Sequence, residues 1–398
     1  MRITSTDSKV SSSGSNRVVA RRTFIVMAAT AAGLAGGLLL PRVTEAPAAT
    51  LALSAVVTGL DNPWGMAFLP DGNALVTERP GQLRHVSLTD RALSPPIAGL
   101  PEIDARGQGG LLGIAIDPDF TENRLVYLSF AEPRDGGNST SVFRARLSDD
   151  HARLDDGRII FRQNLVADSG HHFGSRLVFD RSGNLFVTTG DRNRLREAVQ
   201  DPANHIGKVL RITRDGEPAP GNPMLPGWAP EVWSIGHRNI QGAALHPETG
   251  ALWTAEHGAR GGDEINTPEA GKNYGWPVIS YGREYSTLPI GEGSEKPGME
   301  QPLHYWDPSI APSGMSFYTG SRYPGWKGSL FVGALAGEHL SRLTLDGTRI
   351  VSEEKLFEGF GRFRDVVQGP DGNIYVLTDE GTPDGAMLVI ADQPPASN

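Results

Sequence analysis

A short apolar segment, a turn of Asp, Gly or Pro, and a second apolar segment recur six times along this chain of 398 residues. The first copy runs Trp64-Gly65-Met66-Ala67-Phe68, then Pro70-Asp71-Gly72-Asn73, then Ala74-Leu75-Val76-Thr77-Glu78. The second pairs Leu112–Ile116 with Leu125–Leu128, and the third Leu177–Phe179 with Leu185–Thr189. The fourth pairs Gly242–Leu245 with Leu252–Ala255, the fifth Met315–Tyr318 with Leu330–Gly333, and the sixth Asp365–Val367 with Ile374–Thr378. Segments this short, rich in β-branched and aromatic residues and bounded by turn formers, read as antiparallel hairpins. Gly and Pro make up 78 of the residues, as a turn-rich all-β chain requires. The spacing leaves room for two further strands per hairpin. Four-stranded antiparallel units repeated radially make a six-bladed β-propeller. The alternative is a β-sandwich whose hairpins resemble one another by accident.

The propeller is expected to occupy residues 50–398 as one domain. Residues 1–49 read as an export signal. Arg21-Arg22 precedes Phe24–Leu40, an uncharged run of 17 residues, and small residues follow at Ala46–Ala49. That order is a signal of the twin-arginine kind, expected to be cleaved near Ala48–Thr50 and to place the mature chain in the periplasm or outside the cell. An uncleaved anchor is the competing reading, but so short an Ala/Gly-rich run is marginal for a bilayer.

Charge then narrows the partners. The whole chain has 37 basic and 46 acidic residues. The first 49 hold 6 and 2 of these, so the remainder has 31 and 44 and a net charge of −13. An acidic body argues against nucleic acid and against anionic membrane. Cysteine is absent, so there is neither a disulfide nor a thiolate metal site.

Polar clusters flank the hairpins. Gly107-Gln108-Gly109-Gly110, His171-His172-Phe173-Gly174, Gly236-His237-Arg238-Asn239 and Arg362-Phe363-Arg364 each come just before an inner strand. Gly190-Asp191-Arg192-Asn193 and Glu256-His257-Gly258-Ala259 come just after one. In a propeller the innermost strands all start at one end of the central channel, so Gln108, His172, Arg238, Arg362 and Arg364 are expected to converge there. If the strand is extended at His171-His172, the two rings point to opposite faces. Two arginines at i and i+2 on a strand share a face, which beside a channel would clamp an anion.

With these clusters in place, the chain resembles the soluble quinoprotein glucose dehydrogenase and aldose sugar dehydrogenase family. The resemblance rests on Gly107–Gly113 with Asp117–Phe120, on Gly236–Gly242, on Asp263-Glu264-Ile265-Asn266 with Asn273–Pro277, and on Arg362–Val366 with Pro370–Asn373. It implies oxidation of an aldose at C1 to the lactone, with hydride passing to pyrroloquinoline quinone (PQQ). By this likeness His172 matches the base that takes the sugar's hydroxyl proton, and Asp191 the acid that orients it. Arg238 and Asn239 match the neighbours of the quinone oxygens, where negative charge grows. Gln108 and Ser309 match residues beside the cofactor, and Arg362 and Arg364 those on its carboxylates. Gly258 and Ala259 match the pair whose carbonyls hold Ca²⁺ as a Lewis acid.

Two departures stand out. The glucose enzymes carry a lysine for the cofactor where this chain reads Gly333-Ala334-Leu335-Ala336-Gly337-Glu338, and a covering tryptophan where it has Asp307. Asp307, with a chain shorter than those enzymes, favours the aldose branch and a more open site, while the missing lysine removes one positive charge near a tricarboxylate. The two departures favour one rival reading, an exported propeller that binds sugar or protein without a cofactor; a separate rival is a calcium-dependent lactonase on the same fold. The expected partners are a small aldose and an electron acceptor that the sequence does not identify. The mature chain is expected to be a monomer or weak dimer with no stable membrane insertion.

Overall fold

The structure is a computed structural model and describes residues 50–380 and 384–393. The expected export signal, residues 1–49, lies outside the described residues. Chain order gives β1 (Thr50–Leu60), then the first blade: β2 (Pro63–Phe68), β3 (Ala74–Glu78), β4 (Gln82–Ser87) and β5 (Ala92–Leu93). The second blade is β6 (Leu111–Ile116), β7 (Leu125–Arg134), β8 (Gly137–Leu147) and β9 (Leu154–Arg162). The third is β10 (Leu177–Phe179), β11 (Leu185–Thr188), β12 (Lys208–Ile212) and β13 (Val232–Ile235). The fourth is β14 (Ile240–Leu245), β15 (Leu252–Glu256), β16 (Asp263–Asn266) and β17 (His304–Trp306). The fifth is β18 (Pro312–Phe317), β19 (Leu330–Ala334), β20 (His339–Asp346) and β21 (Arg349–Leu356). The sixth is β22 (Phe363–Gln368), β23 (Ile374–Thr378) and β24 (Gly385–Gln393), and β1 pairs with β24 as its outermost strand. The last blade thus combines strands from both ends of the propeller, which closes the ring.

Each of the six sequence hairpins is the inner pair of one blade. Those strands are legible because they are buried on both faces. Ala74–Glu78, Leu185–Thr188, Leu252–Glu256 and Ile374–Thr378 are buried at every position. The core lies between blades. Leu75 and Leu83 of the first pack with Leu111, Val126 and Leu128 of the second, and Trp253 and Ile265 of the fourth pack with Met315 and Val332 of the fifth.

Five of the six innermost strands slip register against their neighbour near their start, at Pro63/Gly65, Leu111/Ile114, Ile240/Gly242, Pro312/Met315 and Phe363/Asp365. A bulge bends a strand and re-aims its side chains. Here it does so at the channel end where the polar clusters sit. Close approach enforces glycine there: a methyl on Gly113 would lie 2.1 Å from the carbonyl oxygen of Ser175 in the next blade. Across the channel, Arg176 of the third blade pairs with buried Asp365 of the sixth at 3.0 Å and stacks over Trp64, 4.3 Å from its ring centre.

Candidate active site

The loop ahead of β10 carries His172, and its backbone is not the extended strand that the sequence reading assumed. His172 has φ 52°, in the left-handed region, and Gly174 and Ser175 follow with φ 66° and 83°. His171 is exposed and His172 buried, so the two rings do separate, but a left-handed kink does this rather than strand alternation. The Asp191 loop lies directly against the kink. A methyl on Gly190 would sit 2.1 Å from the carbonyl oxygen of His172, so only glycine permits that approach. Arg192 holds the assembly from below. Its guanidinium donates to the carbonyls of His171 and Ser169 and to Asn138 Oδ1, and it lies 3.8 Å from the centre of the Phe173 ring.

His172 Nδ1 lies 2.6 Å from Asp191 Oδ1. A carboxylate only accepts, so Nδ1 carries the proton and Nε2 keeps a free lone pair. Asp191 also accepts from the Asn193 amide at 2.7 Å and from Trp276 Nε1 at 2.9 Å. Burial pushes the Asp191 carboxyl up, but the bonds from His172 and Asn193 and the charge of Arg238 outweigh it and hold it below its ordinary range. Burial, helped by the Arg238 charge, holds His172 below the ordinary 6.5 despite its bond to Asp191. The pair is therefore a neutral imidazole oriented by an anion, the arrangement of a general base.

Beside it opens a cavity of about 310 Å³ lined in part by Gln108, Asn239, His257, Arg79, Arg362 and Arg364. The loops interlock: Gln108 Oε1 accepts from the His172 amide at 2.9 Å, and Asn239 Oδ1 from the Gly174 amide at 3.1 Å. Arg364 is buried at the β22 bulge, donating to Gln241 Oε1 at 3.1 Å and Asp379 Oδ2 at 3.3 Å, with its Nε unpartnered. Arg362 precedes that strand and donates to the Leu335 carbonyl, and Arg79 donates to the Gly107 carbonyl and Asn62 Oδ1. Neither has an ion-pair partner among the described residues. Three guanidiniums and one carboxylate, Asp379, leave the wall cationic and suited to an anion.

The residues 60–389 match the family model described as Glucose / Sorbosone dehydrogenase. The chain belongs to the glucose/sorbosone dehydrogenase family. The aldose sugar dehydrogenase YliI of Escherichia coli K12 is 44% identical over 350 residues, covering 86% of this chain and 93% of that protein. A crystal structure of a glucose dehydrogenase superposes with a TM-score of 0.83 at 50% identity, covering 86% of this chain and all of that one. The PQQ-bound form of the aldose sugar dehydrogenase from Streptomyces coelicolor superposes at 0.71 with 30% identity, covering 87% and 100%. The fold, family and enzyme class expected from the motifs are therefore those of a PQQ-type sugar dehydrogenase.

Within this glucose/sorbosone dehydrogenase framework, the sequence-derived residues other than Ser309 fall in two groups. Gln108, Asn239, Arg362 and Arg364 line the cavity; His172 adjoins the lining residue Phe173 in the chain and donates its amide to Gln108, with buried Asp191 bonded to its ring. Arg238, Gly258 and Ala259 belong to an adjoining region. Arg238 donates to the His257 carbonyl at 3.1 Å, lies 5.3 Å from the Trp276 ring centre, and leaves its buried Nε unpartnered. It lines a pocket of about 10 Å³ with Gly258, Gly262, Glu256 and Glu264. Buried Ala259 is next in the chain. Ser309 faces neither space: its hydroxyl donates to Asp263 Oδ2 at 2.7 Å, and Asp263 Oδ1 accepts from the Gly258 amide at 2.8 Å. Ser309 thus fixes the Gly258 backbone through Asp263. Asp307 is exposed, lies against Gly261 and is not on the cavity wall.

Three residues escaped the sequence reading. Arg79 follows β3, His257 follows β15 and Asp379 follows β23, each at the end of the second strand of a hairpin. An antiparallel hairpin returns its second strand to the end where the first began, so these positions reach the same cavity. Burial and the charges of Arg238 and Arg364 push His257 down to about 3, and its Nε2 donates to the Pro312 carbonyl at 2.7 Å. Its imidazole is neutral, with a fixed tautomer.

Proposed function

We propose that this chain oxidises an aldose at C1 to the lactone, with PQQ in the arginine-lined cavity, Ca²⁺ held by the carbonyls of Gly258 and Ala259, and His172 as the general base. The observation that carries this reading is a neutral, Asp191-oriented imidazole next to a cationic cavity, joined to its wall through Gln108. Such a cavity favours the cofactor reading over the lactonase reading, which would bring acidic and amide side chains together around calcium.

The donor sets fit both groups. Arg362, Arg364 and Arg79 offer charge-assisted hydrogen bonds to carboxylates, and the unpartnered Nε atoms of Arg79 and Arg364 mark capacity left over. Arg79 supplies the positive charge that the missing lysine withdraws. In the adjoining pocket, burial pushes the Glu264 carboxyl up, and Glu256 adds to the effect. Buried carboxyls beside the Gly258 backbone are hard oxygen donors of the sort calcium takes. When bound, PQQ would supply the acceptor for the hydride, which carries both electrons, and calcium would polarise it.

The residues of the chain do the remainder. His172 Nε2 accepts the proton of the sugar's anomeric hydroxyl, and Asp191 stabilises the imidazolium that results. Arg238 and Asn239 face the charge that grows on the acceptor. Gln108 holds the His172 backbone through its amide. The paired arginines of the signal segment support export to the periplasm or beyond. No helix among the described residues is long and apolar enough to cross a membrane.

The test is reconstitution. Purified apo-protein with PQQ and Ca²⁺ should reduce an artificial electron-accepting dye when an aldose is added. It should not do so with either component omitted. Tight PQQ binding without dye reduction by any aldose would overturn the reading.

A further inference from the structure

At the end of the propeller away from the cavity, blades one and two meet around Asp71, His85 and His151. Trp64 lines the cavity at the start of β2, and Asp71 follows the other end of that strand. His85 is on β4, and His151 is in the turn between β8 and β9. We infer that these three side chains form a binding site for a divalent transition-metal ion of the zinc type, which ties the first blade to the second and is separate from sugar oxidation.

The geometry carries this. One ligand atom from each residue lies within 4.8 Å of the others. The two imidazoles stack, with centroids 4.6 Å apart and 28° between their planes. The His85 Nε2 atom is buried without a hydrogen-bond partner. Ligands about 2.0–2.2 Å from one zinc ion lie within roughly 4 Å of one another, so closure needs shifts of only about 1 Å. Asp71 and His151 both sit in turns, where such shifts leave the strands in place. Two imidazoles and a carboxylate are a borderline-soft donor set that suits zinc better than calcium or magnesium, and water would complete the shell.

The internal repeat shows that the cluster is not a general property of this turn. Blade six has the same turn, Pro370-Asp371-Gly372-Asn373, and in both blades the Asn amide donates to Asp Oδ1, at 2.9 Å in the first and 3.0 Å in the sixth. In blade six Asp371 Oδ2 accepts from the Tyr375 hydroxyl at 2.9 Å, and Tyr375 pairs with Val389 on the next strand. In blade one the matching position is Leu75, and its partner on the next strand is His85. In both blades the second carboxylate oxygen also accepts from the Asn side chain, so blade one differs in lacking the tyrosine contact and in bringing up a histidine one strand over, and blade two adds a second.

The test uses the whole protein, stripped with chelator, without PQQ or calcium. Zinc is titrated against a chromophoric chelator, and the thermal midpoint is followed with and without zinc. The wild type should take up one equivalent and gain in thermal midpoint, since an ion that binds only the folded state stabilises it. His85→Ala and His151→Gln should each weaken that equivalent by at least the roughly tenfold that loss of even a supporting partner costs a metal site. His151→Gln changes a surface turn and guards against a folding defect in His85→Ala. His171→Ala should bind as the wild type does. Wild type without a stoichiometric zinc ion would overturn the inference, and so would undiminished binding in His151→Gln.

Discussion

Trp276 Nε1 and His172 Nδ1 both donate to Asp191, at 2.9 Å and 2.6 Å, on its two different oxygens. Each carboxylate oxygen is therefore committed, and the imidazole plane is fixed from behind by a residue of a different blade. This couples the long loop after β16 to the base, and it makes Asp191 a positioning residue whose removal should be visible in a pH profile.

Asp191→Asn should lower turnover by roughly 10² to 10⁴, the usual contribution of a well-placed general base. In the wild type, His172 is held below 6.5, and it loses base function as pH falls through its pKa. The acid limb of kcat/KM should therefore lie below pH 6.5. The bond to Asp191 raises the His172 pKa against burial, so the limb of Asp191→Asn should move lower still. A variant with lower turnover but an unmoved limb would mean that Asp191 acts on the fold and not on His172.

Arg79→Ala should weaken PQQ binding, measured by titration of the apo-protein, and the loss should shrink as salt rises. Turnover at saturating cofactor should change much less. The variant Arg79→Lys should recover part of the affinity, because it keeps the charge and loses the fork. Unchanged affinity in Arg79→Ala would leave the missing lysine without a substitute.

Gly190→Ala should destabilise the protein by about 1–3 kcal/mol, the usual cost of overpacking. The added methyl meets the carbonyl of His172 and, at 3.2 Å, Asn239 Oδ1. Turnover should fall in parallel, because the cheapest relaxation moves the Asp191 loop off the imidazole. Thermal midpoint and turnover measured together would test this.

Chelation should abolish activity, and added Ca²⁺ should restore it. Ala259→Pro should leave activity largely intact, because only its carbonyl would serve the ion. Activity that survives exhaustive chelation would refute the Lewis-acid role.

What the sequence made legible follows from where periodicity is strong. The inner hairpins are buried on both faces and bounded by turns such as Pro70-Asp71-Gly72-Asn73, so all six stand out. The outer strands are half exposed, as Arg349–Leu356 shows, and their composition resembles that of loops. Residues ahead of the inner strands were legible because one geometric rule brings Gln108, Arg362 and Arg364 to the same cavity; the rule puts Arg238 there too, but it lines the adjoining pocket, and Asn239 follows from the family resemblance alone. Arg79, His257 and Asp379 obey the mirror rule, that a hairpin returns to its start; no cluster marks Arg79 or Asp379, and the cluster holding His257 gives that residue no role. The left-handed turn at His172 left no trace in composition, since histidine is not the residue that positive φ usually selects. The role of Ser309 in holding Asp263, and through it Gly258, depends on contacts 46 residues apart and appears only in three dimensions.

The central claim is that His172 is the base. The measurement is turnover and PQQ titration in reconstituted His172→Ala, beside His171→Ala, whose exposed ring serves as the internal control. His172→Ala should lose roughly 10² to 10⁴ in turnover while still binding PQQ, and His171→Ala should keep both. Near-normal turnover in His172→Ala would contradict the claim, whether or not His171→Ala had lost its own.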